Sequence, residues 1–243
     1  INLSQIVLGL KDLGFKEVWD VALGAEALTY ETIKYLQEHD GPVISSSCPA
    51  VVRLIQLLYP ELVDYLAPFK SPVDIIAEQV KNIMNSKLEI NNQEIGVFFI
   101  TPCPAKMTTV NNPLGVKESY LDGAIAVEKI YSKIIKEVNN FTTSKEKVNY
   151  QVPYFGISWG RSGGEENFLE EFNTLSVSGI HNVMSILEEI ERGNLSNIKY
   201  FELVSCHPGC VGGVLNVKNP FLGKFNIESL INQGDNLINQ DFN

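Results

Sequence analysis

Short apolar runs alternate with helix-patterned segments along most of the chain, and that alternation leaves few folds open. Apolar periodicity predicts helices over 2–13, over 25–38 (through Ala25, Leu28, Ile33 and Leu36) and over 72–85. A helix opening at Pro49 runs to Leu58 and stops at Pro60, because proline fits a first helical turn and blocks an interior one. Strand-like runs are "EVWDVA" (17–22), "PVISS" (42–46), "EIGVFFIT" (94–101), "PYFGIS" (153–158), "TLSVSGI" (174–180) and "IKYFELVS" (198–205). The unbroken apolar run over 94–101 is the pattern of a parallel strand covered on both faces. The segment 122–138 passes from strand to helix, 160–172 from a glycine-rich turn into a helix, and 183–193 reads as helix. The sum is an α/β fold, with two lobes of mainly parallel sheet flanked by helices. The polar stretch 139–149 is the expected connection between a first lobe over 1–138 and a second over 150–243.

The chain's 243 residues, 44% of them hydrophobic, suffice for a large core. Nineteen basic against 29 acidic residues give a net charge of −10, the wrong sign for a nucleic-acid partner. No apolar run reaches the roughly 18 residues of a membrane span, and "INLSQIVLGLKDLGF" lacks the basic start and cleavage site of a signal peptide. A cytoplasmic location is expected. The chain begins without Met inside helix-patterned sequence, so a piece of a longer protein is expected too.

The four cysteines fall where chemistry belongs in such a fold. Cys48 follows "PVISSS", Cys103 follows "GVFFITP", and Cys206 follows "YFELVS", with Cys210 four residues on. Open α/β sheets bind ligands beyond the carboxyl ends of their strands. Pro49 and Pro104 place Cys48 and Cys103 at helix starts, where amide donors and partial positive charge favour a thiolate. Gly209, Gly212 and Gly213 let the backbone approach a bulky group. Without secretory signs, disulfides are not expected. Spacing alone leaves three readings open: an iron–sulfur cluster, a zinc site, and buried core thiols.

In order, "SSSCPAVVR", "TPCPAK" and "ELVSCHPGCVGG" resemble the three signature motifs of the iron-only (FeFe) hydrogenase catalytic domain, roughly T-S-C-C-P, M-P-C-x-x-K and E-x-M-x-C-x-x-G-C followed by glycines. "LGFKEVWDVALGAE", "KSP" at 70–72 and "GRSGG" at 160–164 resemble further family segments. The resemblance implies that Cys48, Cys103, Cys206 and Cys210 hold a 4Fe–4S cubane between the lobes. Cys210 would bridge to a two-iron subsite carrying CO, cyanide and a dithiolate, the whole forming the H-cluster. It implies that Lys106 hydrogen-bonds a cyanide, and that Ser71, Pro102, Trp159, Val204 and Gly209 surround the group. The implied activity is reversible hydrogen oxidation and proton reduction. The implied partners are hydrogen, protons, electron-transfer iron–sulfur domains or ferredoxin, and a signalling domain downstream, in an anaerobe.

The departures carry as much information. Ser47 stands where the family has its proton-donating cysteine, and an alcohol is a far weaker acid than a thiol of pKa about 8.5. Thr32 and Tyr35 align with the relay glutamates, Ala67 with a relay serine and Val73 with a glutamine. Thr101 and Val204 align with flanking methionines, and Trp159 with a pocket phenylalanine. This pattern resembles the sensory branch of the family, with slow turnover and hydrogen sensing as its implied use. The alternative reading is an electron-transfer or structural protein with the 4Fe–4S cluster alone. "GRSGG" is not a P-loop, since no Lys-Ser/Thr closes it. His39, His181 and His207 are scattered, and the carboxylates of "EEN" (165–167) and "LEEIE" (187–191) read as solvated helix faces.

Overall fold

The computed structural model describes residues 3–140 and 154–241, with side chains over 3–139 and 155–232. Helices α1 (Leu3–Asp12) and α2 (Ala22–Glu38) lead into the two-residue strand β1 (Val43–Ile44), then α3 (Pro49–Leu58) and α4 (Pro72–Leu88). Strand β2 (Phe98–Thr101), helix α5 (Pro104–Thr109), strand β3 (Gly123–Ala126) and helix α6 (Val127–Asn140) follow. The rest comprises α7 (Tyr154–Ile157), β4 (Thr174–Ser178), α8 (Ile180–Glu191), β5 (Tyr200–Val204) and α9 (Pro220–Asp241).

Every strand pair is parallel. One sheet has the order β1-β5-β4, with Val43 opposite Tyr200 and Ser178 opposite Val204. The other pairs β2 with β3, Phe98 opposite Gly123 through Thr101 opposite Ala126. The parallel α/β architecture read from the sequence is therefore present. The larger sheet draws β1 from the 1–138 half and β4 and β5 from the 150–243 half, so it crosses that division. The expected connection over 139–149 lies, beyond Asn140, outside the described residues.

Strand alternation organises the core. Phe201 and Leu203 of β5 point into a cluster with Val51 and Ile55 of α3 and Val183 and Leu187 of α8, all fully buried. Tyr200 points the other way, into a cluster with Leu36, Val43, Ala67 and Leu169. Beneath the second sheet α1 packs on α6 through Leu10, Ile130, Ile134 and Val138, with Ile100 and Ile125 at the edge of that cluster. Phe99 packs on the other side, with Val73 and Ala77 of α4. The strand expected over 94–101 is shorter: 92–94 form a 3₁₀ turn, and Phe98, where β2 begins, is 50% exposed.

Three local expectations give way. "EVWDVA" is not a strand, because the Asp20 carboxylate accepts the Ala22 N–H and so opens α2. "PYFGIS" forms α7 and a 3₁₀ turn; Gly156 lies so close to the Ala22 carbonyl that any side chain there would overlap it. The segment after "GRSGG" makes a single 3₁₀ turn, Glu166–Phe168, because the amides of Gly163, Glu165 and Glu166 donate to Glu202 instead of starting an α-helix. α9 carried no sequence signal, being interrupted by Gly223 and Gly234. Among the described residues no helix is long and apolar enough to cross a membrane.

Candidate metal centre

Three strand ends bring the four thiols to one cavity. Cys48 caps α3 in an extended conformation, with Pro49 at the first helical position. Cys103 does the same for α5, and its Sγ accepts the Lys106 backbone N–H at 3.4 Å. Cys206 leaves the end of β5, and Cys210 opens a 3₁₀ turn. The loop between them needs Gly209: its φ is 113°, and a Cβ there would lie 2.5–2.6 Å from the Arg161 backbone. At Gly213 a Cβ would lie 2.5 Å from the Pro102 carbonyl, which accepts the Leu215 N–H. The four cysteines, Lys106 and Val204 line the cavity, and both sheets direct their C-terminal ends at it.

Burial holds two of the four thiols toward their neutral form. Burial pushes the Cys210 thiol up to about 12; Lys106 opposes the rise, and the other three cysteines add to it. Burial also raises Cys206, against a hydrogen bond from Ser205. Ser205 Oγ lies 3.7 Å from Cys48 Sγ and 3.9 Å from Cys206 Sγ, bridging two of the four. Among the described residues no three metal-binding side chains are close enough to share one ion. Four thiols lining one cavity are a donor set that an iron–sulfur cluster or a zinc ion takes.

The remaining expected residues spread more widely. Lys106 and Val204 are in the cavity wall. Pro102 and Gly209 shape its backbone. Ser71 caps α4 with its hydroxyl on Asp74 at 2.6 Å, and Trp159 donates its indole N–H to Thr29 at 3.2 Å. Thr32 hydrogen-bonds within α2, Tyr35 stacks on His39, and Ala67 and Val73 are core. Thr101 is buried and accepts the Cys103 N–H at 3.2 Å.

Ser47 holds an unexpected partner: its Oγ donates to Glu165 Oε1 at 2.5 Å. Glu165 is 4% exposed, so this part of the "EEN" stretch is buried rather than solvated. Its second oxygen accepts from Tyr200 OH at 2.7 Å. Glu202 is buried beside it. Glu202 was legible as a charge inside the apolar run "YFELV"; Glu165 had no signal of its own.

The family described as iron only hydrogenase large subunit, C-terminal domain, matches residues 1–164 and 157–214. The chain is 24% identical to Iron hydrogenase 1 of Clostridium pasteurianum over 98% of its own length and 50% of that protein's. It is 28% identical to the cytosolic Fe-S cluster assembly factor NAR1 of Candida dubliniensis over 59% of its length and 24% of that protein's. The chain thus spans half or less of these curated relatives. Its fold matches a solved FeFe-hydrogenase, HydA1 from Chlamydomonas reinhardtii, with a TM-score of 0.65 and 16% identity, covering 93% of this chain and 77% of that one.

Proposed function

Because the chain belongs to the family of iron-only hydrogenase C-terminal domains, we propose that Cys48, Cys103, Cys206 and Cys210 hold a 4Fe–4S cluster and that the domain works with hydrogen at low turnover, as a sensor. The observation that carries this reading is the convergence of the four thiols and Lys106 on one cavity. When bound, the cubane and a two-iron subsite with CO, cyanide and a bridging dithiolate supply an electron path and the centre where hydrogen is split or formed. The chain's own residues do the rest. The four thiols bind as thiolates, and Lys106 opposes the negative charge that gathers around Cys210. Its ammonium gives a charge-assisted hydrogen bond to an anionic ligand. Val204 keeps the wall beside the cysteines apolar. Ser47 in place of a thiol slows proton supply, which suits detection better than bulk conversion. Hydrogen, protons and a ferredoxin-like or fused iron–sulfur electron carrier are the partners, with a signalling domain as the receiver, in the cytoplasm.

The second reading is a protein with the cubane alone, in electron transfer or cluster assembly. The similarity to proteins named as Fe-S cluster assembly factors favours it. An infrared spectrum separates the two, taken on protein matured anaerobically with a synthetic two-iron precursor. CO and cyanide bands that shift under hydrogen support the hydrogen reading. A cubane signal without such bands retires it in favour of the second, and absence of iron and sulfide sinks both.

A further inference from the structure

Ser205 lines the cysteine cavity, and the cluster-binding reading gives it no task. Besides the cysteines, the described wall consists of Pro49, Val204 and Gly213, which are apolar, with Lys106 and Ser205. Those last two supply its remaining side-chain hydrogen-bond donors. The sheet sets the hydroxyl in place. The parallel register puts Ile44 opposite Phe201, and four residues further along each segment stand Cys48 and Ser205. The Gly179 amide holds the Val204 carbonyl and so fixes the strand end that Ser205 leaves. Ser205 Oγ stands 3.7 Å from Cys48 Sγ and 3.9 Å from Cys206 Sγ. These two sulfurs are its hydrogen-bond partners among the described residues.

The direction of these bonds depends on the state of the sulfurs. While Cys48 is a thiol, its S–H donates to Ser205 Oγ. A thiolate has no proton to give, so binding as thiolates reverses the bond, and the Ser205 O–H becomes the donor. The hydroxyl already works against the burial that raises Cys206. The other two cysteines have support of their own. Cys103 Sγ accepts the Lys106 backbone N–H at 3.4 Å, and the Lys106 charge favours the thiolate of Cys210. Ser205 thus completes a set in which every sulfur faces a donor or a positive charge. It has one proton for two sulfurs, and it lies between them.

We propose that Ser205 is a positioning residue that raises the reduction potential of the cluster, by giving its O–H to the thiolate sulfurs of Cys48 and Cys206. This rests on cluster binding by the four cysteines, which both readings of the function share. Hydrogen bonds to the sulfurs are among the factors that set the potential of an iron–sulfur cluster. One added electron puts more negative charge on those sulfurs, and a charge-assisted hydrogen bond is roughly twice as strong as a neutral one. The bond from Ser205 therefore stabilises the reduced state more than the oxidised one. The step is a one-electron reduction by an external donor: the donor loses the electron and the cluster gains it. The Ser205 O–H bond stays intact throughout. A cluster so placed is the readier electron acceptor.

The test needs no two-iron subsite and no turnover. Native protein, Ser205→Ala and Ser205→Thr are reconstituted anaerobically with iron and sulfide and titrated with dithionite in the presence of mediator dyes. Electron paramagnetic resonance follows the reduced cluster. Ser205→Ala takes up as much iron as the native protein. At the native midpoint its ratio of reduced to oxidised cluster is about tenfold lower, which is about 59 mV for a one-electron couple. Ser205→Thr keeps the hydroxyl and keeps the native midpoint. A second measurement follows the bond itself: in D2O the iron–cysteine stretching bands of the native cluster shift in the resonance Raman spectrum, and they shift less in Ser205→Ala. An unchanged midpoint in Ser205→Ala overturns the proposal, and so does a change that Ser205→Thr shares. Lower iron uptake with an unchanged midpoint makes Ser205 merely structural and also overturns it. Absence of a D2O shift in the native cluster overturns it even where Ser205→Ala does not fold. Native protein that binds no iron and sulfide sinks both readings of the function, whereas a cluster that forms and ignores Ser205 sinks this inference alone.

Discussion

Replacing Glu202 with Gln converts a pH-dependent stability into a nearly flat one. Glu202 moves from an ordinary value of 4.5 to about 8 in the fold, chiefly through burial and then through the charge of Glu165. At about 1.4 kcal/mol for each unit, ionising this carboxyl in the folded state costs about 5 kcal/mol. The shift is upward, so the contribution is fully present below about pH 4.5 and is lost as pH rises through about 8. Glutamine carries no charge to lose. Its single carbonyl oxygen cannot meet all three amides that Glu202 accepts, and one unpaired donor costs about 1–3 kcal/mol at every pH. The variant is therefore the less stable protein near pH 5 and the more stable one above pH 8, by about 2 kcal/mol or more, with the two profiles crossing between. Urea unfolding of reduced, unloaded protein, followed by the fluorescence of Trp19 and Trp159, measures both profiles. Parallel profiles would show that Glu202 titrates alike in the folded and unfolded chain, and would refute the reasoning.

Three further outcomes follow from the site and its supports. Cys210→Ala lowers iron after anaerobic reconstitution from about four per chain and abolishes the cubane's electronic absorption, with little change in the urea midpoint of unloaded protein. Gly209→Ala places a Cβ against the Arg161 backbone at a φ of 113°, and costs about 3 kcal/mol in urea unfolding together with reduced iron uptake. Lys81→Met replaces a lysine that is 8% exposed and 2.9 Å from Asp122, and shifts stability by no more than about 1 kcal/mol, since an apolar stem takes its place and Asp122 keeps the Val97 amide.

The convergence of the four cysteines on one cavity was legible because its parts are local. Each of Cys48 and Cys103 comes as a strand end, a cysteine, a proline and a helix, and each such unit aims its thiol at the C-terminal edge of a sheet whatever the rest of the chain does. The parallel α/β architecture was legible for the same reason, from apolar periodicity. Where the reading slipped, the deciding contact was distant or fine. "PYFGIS" has a strand's composition, yet Gly156 must pass close to the Ala22 carbonyl, and a helix is what that approach accommodates. β1 has two residues, so nothing in its length says that it lies beside β5 in one sheet.

Ser47 shows most clearly where sequence stops. Read alone, a serine in the proton donor's place is a loss: a weak acid has replaced a useful one. Its partner lies 118 positions away, on a turn whose amides are taken by Glu202, so that Glu165 is carried inward instead of starting a helix. Glu202 does two things there at once. Its oxygens fix the turn that buries Glu165, and its own burial, with the neighbouring carboxylate, pushes its own titration upward. The serine and the carboxylate therefore depend on a third residue, whose oxygens accept the amides of the turn. A Ser47→Cys change made without regard to Glu165 would measure the gain of a thiol and the loss of the carboxylate's partner together. The two contributions separate only in the double variant with Glu165→Gln, where the thiol stands alone.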